Sequence, residues 1–356
     1  MQNPAKIAFF PEDQSTLIDR RICIAPMMDW TDRHCRFFLR GFSPRVLLYT
    51  EMITAAAIVH GDSARLLHFS EDERPLALQL GGSDPALLAS AARAGVDSGY
   101  DEINLNCGCP SDRVHAGAFG ACLMLRPERV AECVAAMRSA VSLPVTVKMR
   151  IGVVAEAGHR ADVASFSEQD YARLRQFTST VAQAGCEHFI VHARKAVLGG
   201  LSPRENREVP PLRFDVVQRL KREFPRLWIG VNGGLRTAAH SEAALLWADG
   251  VMLGREVYHR PAVLSELHQH VFNDGWRGPE LAGMLERMAS YAEREVAAGE
   301  RVASITRHML GLCAGQPGAR RYRQFLSEGA RALGVGAPAA AQVRQLMREA
   351  AGHCTP

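Results

Sequence analysis

Two cysteines stand two residues apart in the run Glu102-Ile103-Asn104-Leu105-Asn106-Cys107-Gly108-Cys109-Pro110-Ser111. Ile103 and Leu105 alternate with polar neighbours, which is the period of a strand. Gly108 and Pro110 then end it, because Pro cannot continue the hydrogen-bond ladder and Gly permits unusual backbone angles. A thiol so placed lies at the C-terminal end of a strand, where parallel α/β proteins build their sites. Taken alone, such a thiol is more often a small buried side chain in a tight corner. Its neighbours along the chain change that reading.

Other strand-like runs also end on groups with chemistry. One ends Gln79-Leu80-Gly81-Gly82, another carries Lys148-Met149-Arg150, and a third His192-Ala193-Arg194. The last two end Asn232-Gly233-Gly234 and Gly254-Arg255. Such Gly-bearing turns present bare backbone N–H groups at helix starts, and Arg255 adds a counter-charge; together they predict a phosphate cradle. Either turn alone would be an ordinary strand-to-helix loop. Gln79, Lys148 and His192 could meet the polar edges of a flat ring, with Pro26, Met27 and Met28 offering backbone and apolar surface to its face. Flavin mononucleotide (FMN) satisfies both demands. A lone Lys, Gln or His is more often structural, so the inference rests on their joint placement.

The elements that must position these groups follow a rhythm. Strand-like runs are expected at Ile22–Met27, Val46–Met52, Leu76–Gly81, Glu102–Asn106, Val145–Ile151, His188–Ala193, Trp228–Asn232 and Gly250–Gly254. Helical stretches between them are clearest at Pro85–Gly95, Pro127–Val141, Ser167–Gly185, Phe214–Phe224 and Thr237–Ala248. Eight β-then-α units in about 240 residues fit a closed parallel (β/α)8 TIM barrel. An open doubly wound sheet is the rival, but no GxGxxG opens the first helix. After Arg260 only helical patterns remain: Val263–Phe272, Pro279–Ala298, Arg301–Cys313, Ala319–Gly329 and Pro338–Ala351. The expected division is an N-terminal extension (1–20), a cofactor-binding barrel (21–261) and a smaller all-helical domain (262–356).

Bulk composition narrows the class. The 356 residues are 47% hydrophobic and 22% charged, which allows a sizeable core. Nine cysteines, an odd number, are scattered with no signal peptide before them, favouring a reducing, cytoplasmic setting over a disulfide framework. No Cys/His set has zinc spacing, and Cys107-x-Cys109 alone is a weak metal signal. No apolar run is long enough for a membrane span. The net charge of +4 says little. Its distribution says more: Arg194, Lys195, Arg204, Arg207 and Arg213 crowd one region, and Arg301, Arg307, Arg320, Arg321 and Arg323 another. Such patches fit a polyanionic partner, although either could be an Arg-rich solvated surface.

The chain closely resembles the tRNA-dihydrouridine synthases. The resemblance is carried by Ala25-Pro26-Met27, the Asn104–Ser111 run, Val147–Arg150, Val191–Arg194, Asn232-Gly233-Gly234 and Met252–Arg255. Phe119–Met124, His192–Ala196, Gly200–Arg207 and Ile305–Leu312 are similar to the A-type bacterial subfamily, which acts on uridines 20 and 20a of the tRNA D-loop. The resemblance implies that NADPH reduces bound FMN, that hydride passes to C6 of a uracil ring, and that Cys109 protonates C5. A thiol that keeps its proton at neutral pH suits that task. Cys107 occupies a variable position of the motif and should be dispensable. By the same resemblance Pro26, Met27, Met28, Gln79, Lys148, His192, Asn232, Gly233, Gly234, Gly254 and Arg255 bind FMN. Asn106 contacts the target base or ribose, and Arg204, Arg207, Arg320 and Arg323 hold the tRNA. Arg150 is left as a second flavin contact or a structural ion pair. A monomer is expected.

Three rivals remain in view. A flavin oxidoreductase of free pyrimidines shares the fold and the ring chemistry but has no use for the Arg-rich helical tail. A non-catalytic RNA-binding protein has no need of Cys109, Lys148 and the phosphate turns together. A flavin-free phosphate-binding isomerase would be colourless.

Overall fold

The computed structural model describes residues 18–111, 119–154 and 160–354. Eight parallel strands run through it: β1 (Ile22–Ile24), β2 (Leu48–Tyr49), β3 (Leu76–Gly81), β4 (Glu102–Cys107), β5 (Val145–Arg150), β6 (His188–His192), β7 (Trp228–Asn232) and β8 (Gly250–Leu253). They pair in the order β1-β8-β7-β6-β5-β4-β3-β2. An isolated bridge between Cys23 and Leu47 joins the first strand to the second, with the Ile24 N–H donating to the Leu47 carbonyl at 2.9 Å. The sheet therefore closes on itself, and the open-sheet alternative falls.

Two strands are shorter than their sequence patterns suggest. β1 stops before Pro26, which has no N–H to donate. β2 is interrupted after Tyr49 because the Thr50 hydroxyl takes the Gln79 N–H at 3.0 Å, replacing a backbone acceptor. Pairing with β3 resumes at Ile53–Thr54.

Helices follow the strands: α1 (Arg33–Arg40), α2 (Ala55–His60), α3 (Pro85–Asp97), α4 (Pro127–Ala140), α5 (Glu168–Gln183), α6 (Phe214–Glu223), α7 (Ala238–Leu245) and α8 (Ala262–Phe272). Their starts show why they begin there. Asp84 caps α3 ahead of Pro85, and Ser167 with Asp170 forms a capping box on α5. Tyr171, Leu174, Phe177 and Val181 recur at helical spacing and are buried against the barrel. α8 also lies on the barrel wall, where Ser43 meets His268 Nδ1 at 2.8 Å and Arg21 donates to the Val271 carbonyl at 3.0 Å.

The remaining helices are α9 (Leu281–Ala297), α10 (Val302–Thr306), α11 (Ala319–Leu333) and α12 (Ala337–Ala351). Met284, Met288 and Ala292 of α9 and Val343, Met347 and Ala350 of α12 form the buried faces of this helical group. The helix expected over Arg301–Cys313 is instead α10 followed by a 3-10 turn, Arg307–Gly311. Cys313 and Cys354 form a disulfide with Cα atoms 6.4 Å apart. It is a single bond rather than a framework; the other seven cysteines are free. The backbone is close-packed nearby: a Cβ on Gly318 would fall 1.7 Å from the His353 carbonyl oxygen. Of the expected N-terminal extension, residues 1–17 lie outside the described residues. No described helix is long and apolar enough to cross a membrane.

Candidate active site

The alternation along β4 sends two kinds of side chain in opposite directions. Ile103, Leu105 and Cys107 enter the apolar layer under the helices. Glu102, Asn104 and Asn106 share the other face and build a polar ladder through the barrel. At its base Arg20 Nε donates to Glu102 Oε2 at 2.6 Å, and the Tyr49 and Thr146 hydroxyls donate to Glu102 Oε1 at 2.8 and 2.7 Å. Asn104 Nδ2 donates to Thr146 Oγ1 at 2.8 Å, Gln79 Nε2 to Asn104 Oδ1 at 2.7 Å, and Asn106 Nδ2 to Gln79 Oε1 at 3.0 Å. From Glu102 up to Asn106 each buried polar side chain is met by the next, as an apolar setting requires.

The top of the ladder holds the reactive turn. Asn106 Oδ1 accepts the backbone N–H groups of Gly108 and Cys109 at 2.9 and 3.0 Å. Cys109 is half-buried, with Sγ 3.4 Å from the Ser111 hydroxyl. Cys107 is fully buried, and desolvation pushes its pKa well above the usual thiol value. The two thiols are thus separated by environment: Cys107 is buried in the apolar layer and Cys109 keeps partial exposure.

Lys148 and His192 come to the same end of the barrel through strand register. Asn106 is paired with Lys148, Arg150 with His192, and His192 with Asn232. Burial, then the Arg150 charge, lowers the Lys148 pKa to about 8, and no described carboxylate opposes them. Burial, Arg150 and Lys148 push His192 well below its usual value, so its ring is neutral at pH 7. Arg150 pairs with no described carboxylate. It donates to the carbonyls of Gly108 (3.1 Å), Lys195 (2.9 Å) and Asn206 (2.8 Å). The structural ion pair is thereby replaced by carbonyl contacts: Arg150 fastens the Cys109 turn to the loop after β6.

The far side of the mouth fits a phosphate-bearing cofactor. Gly233 and Gly234 have φ of 110° and 68°, the region that favours glycine. A Cβ on Gly234 would lie 2.3 Å from Leu212 Cδ1, and one on Gly233 3.2 Å from His192 Nε2. Asn232 ties β7 to β8 through its Nδ2 donation to the Met252 carbonyl at 2.7 Å. Gly254 caps the short helix Arg255–His259; a Cβ there would make only ordinary contact with Met27 Sδ at 3.5 Å. Arg255 is ion-paired with Glu208 at 3.1 Å. On the adjoining rim, after β1, the Met27 N–H donates to Thr31 Oγ1 at 2.9 Å, and the Met27 carbonyl accepts from Trp30 and Thr31 at 3.0 and 2.9 Å. Met28 is 55% exposed. The strained glycine cradle and a lysine without a carboxylate partner both suit the phosphate and ring of FMN. Among the described residues no His/Cys/Asp/Glu group could hold a metal ion.

The basic regions contain fewer free charges than their composition suggests. Lys195 is buried and ion-paired with Asp170 at 2.9 Å, and Arg213 pairs with Asp215 at 2.6 Å. Arg307 pairs with Asp32 at 2.5 Å. Arg204 and Arg207 remain exposed on the loop after β6, with Arg204 in a long 3.5 Å contact to Glu208. Arg320 and Arg323 are exposed on α11. The ladder residues Glu102, Asn104 and Thr146 escaped the sequence reading; the i, i+2, i+4 spacing of the polar residues in β4 was the signal available.

A model of the family Dihydrouridine synthase (Dus) matches residues 23–350. The tRNA-dihydrouridine(20/20a) synthase of Salmonella typhi is 49% identical over 342 residues, covering 95% of this chain and 99% of the relative. That of Pseudomonas syringae pv. tomato is 51% identical over 323 residues, covering 90% and 92%. That of Escherichia coli K12 is 49% identical over 337 residues, covering 94% of each.

Proposed function

The chain belongs to the dihydrouridine synthase family, and on that premise we propose that it reduces the C5=C6 bond of uridines 20 and 20a in the tRNA D-loop, using NADPH through bound FMN. It is a flavin-dependent oxidoreductase acting on the CH–CH group of tRNA uridines. The observation that carries the site assignment is the coupling of Cys109 to the barrel-mouth ladder through Asn106, opposite the Gly233-Gly234 cradle.

Bound FMN would supply hydride transfer to C6 of the uracil. The chain's own groups do the rest. Gly233, Gly234, Gly254 and Arg255 receive the phosphate, with Asn232 setting the spacing of their two strands. Gln79, Lys148 and neutral His192 meet the ring edge, and Pro26, Met27 and Met28 border its face. Lys148 offers positive charge where the reduced ring gathers electrons. Cys109 Sγ delivers the proton to C5, and Asn106 holds both the thiol's backbone and the target nucleoside. Turning a uridine out of its stack costs roughly a few kcal/mol, which Arg204, Arg207, Arg320 and Arg323 offset by binding phosphates. The enzyme works as a cytoplasmic monomer.

Nucleoside mapping of tRNA from cells lacking the chain tests this reading. Dihydrouridine should vanish at positions 20 and 20a and return with the parent copy but not with Cys109→Ala. Intact dihydrouridine together with turnover of free uracil would move the assignment to free pyrimidines.

A further inference from the structure

The segment Ile305–Leu312 is long and distinctive, yet it touches neither the thiol nor the glycine cradle. Its contacts reach the two arms that flank the proposed flavin site. The first arm is the loop from Pro26 to Asp32. Arg307 Nη2 meets Asp32 Oδ2 at 2.5 Å, and His308 Nε2 meets Asp32 Oδ1 at 3.0 Å. Asp32 also caps α1 by accepting the Cys35 N–H at 3.0 Å. The Asp32 carboxyl is held well below the usual range: burial opposes this, but His308, the Cys35 N–H and Arg307 outweigh it. The loop itself is stiff, because Thr31 makes three hydrogen bonds to Met27 and Arg36 donates to the Thr31 carbonyl at 2.8 Å.

The second arm is the helix Arg255–His259, which begins at the Gly254 turn. Tyr258 stacks on Trp30 of the first arm at 4.4 Å between centroids and lies edge-on to His308 at 5.7 Å. Gly311 presses on the end of the same helix. A Cβ there would fall 2.5 Å from the His259 carbonyl oxygen and 3.0 Å from that of Tyr258. Behind the segment, the buried Tyr322 hydroxyl donates to the Met309 carbonyl at 3.1 Å. The 3-10 turn is therefore a bracket, gripped by α11 on one side and holding both arms on the other.

We propose that His308, Arg307 and Gly311 are positioning residues that set the separation of the Pro26–Met28 rim from the Gly254-Arg255 turn, and so the width of the flavin site. The inference rests on the flavin reading given above. It assigns the helical region a role in holding cofactor that is separate from any role in holding RNA. His308, 1% exposed, is too buried to serve as an RNA contact.

The test is FMN affinity of the apo full-length chain, followed by protein fluorescence and the visible spectrum of the loaded flavin. The parent is measured first, then His308→Ala, Gly311→Ala and the rescue variant His308→Gln, whose amide can meet both Asp32 and the Arg307 Nε–H that reaches His308 Nε2 at 3.1 Å. Loss of a charge-assisted contact predicts a rise in FMN Kd of about tenfold or more for His308→Ala, with a shifted flavin spectrum and recovery by Gln. Gly311→Ala should behave alike; if it does not fold, His308→Ala and its rescue decide the matter. Parental FMN Kd and spectrum in His308→Ala would overturn the inference, whether tRNA affinity falls (an RNA role) or only the melting temperature falls (a packing role). A parent that takes up no FMN overturns the flavin reading and this inference with it.

Discussion

Arg150 Nε lies 3.1 Å from the carbonyl of Gly108, the residue before the reactive thiol. The same guanidinium reaches the carbonyls of Lys195 and Asn206 at 2.9 and 2.8 Å. One fork thus joins the proton-donating turn to the loop that carries Arg204 and Arg207. A planar guanidinium can do this; an ammonium cannot span all three acceptors. Arg150→Lys should bind FMN as the parent does but slow reoxidation of reduced flavin by tRNA by about tenfold. Anaerobic stopped-flow measurement of the two half-reactions checks this, and equal slowing of both would contradict it.

Cys109→Ala should reduce dihydrouridine formation by roughly 10²–10⁴-fold, the usual contribution of a positioned acid. Flavin reduction by NADPH should be unaffected. Cys107→Ala should keep activity and lose about 1 kcal/mol of stability, because Cys107 fills the apolar layer behind β4. Reversed phenotypes would exchange the roles of the two thiols.

Burial, then the Arg150 charge, holds the Lys148 pKa down at about 8, below its ordinary 10.5. Between those values the unfolded chain binds the proton and the folded chain does not, so this group makes stability rise with pH across that window. Below about pH 8 the fold carries the full cost of the buried charge. Lys148→Met should therefore stabilise the apo protein at pH 7, by up to roughly 2–3 kcal/mol, with the gain fading toward pH 10.5. The same variant should lose FMN affinity. Urea melts at several pH values, with FMN titrations beside them, check both halves.

Gly234→Ala places a methyl where φ is 68° and Leu212 Cδ1 would be 2.3 Å away. FMN retention through gel filtration should fall sharply. A Leu212→Ala partner mutation should relieve the clash but not the backbone strain, so recovery should be partial.

Reduction of the Cys313–Cys354 bond opens a loop of 41 residues. Chain entropy places the loss at about 2–4 kcal/mol. Thermal melts with and without reductant should separate, and a Cys313→Ser/Cys354→Ser variant should melt with the reduced form. Superimposed melts would show that the bond adds nothing.

Local pattern determined much of this protein. Strand and helix periods, Pro and Gly punctuation and the count of eight units specify a barrel, because each is read from neighbours within a few residues. The reactive turn and the two glycine turns were legible for the same reason: Gly233-Gly234 and Gly108-Cys109-Pro110 carry their backbone demands in their own composition. Other features were settled only by the closed sheet. Register across β3, β4 and β5 decides that Gln79, Asn104, Asn106 and Thr146 join into one ladder, since hydrogen bonds between strands have no fixed spacing in sequence. Arg150 could be read as an ion-pairing residue until its partners proved to be three carbonyls from distant loops. Lys195 and Arg307 counted as surface charge in the sequence, whereas tertiary packing gives each a carboxylate. Charge is visible in a sequence, but desolvation and pairing depend on which surfaces meet, and only the folded chain decides that.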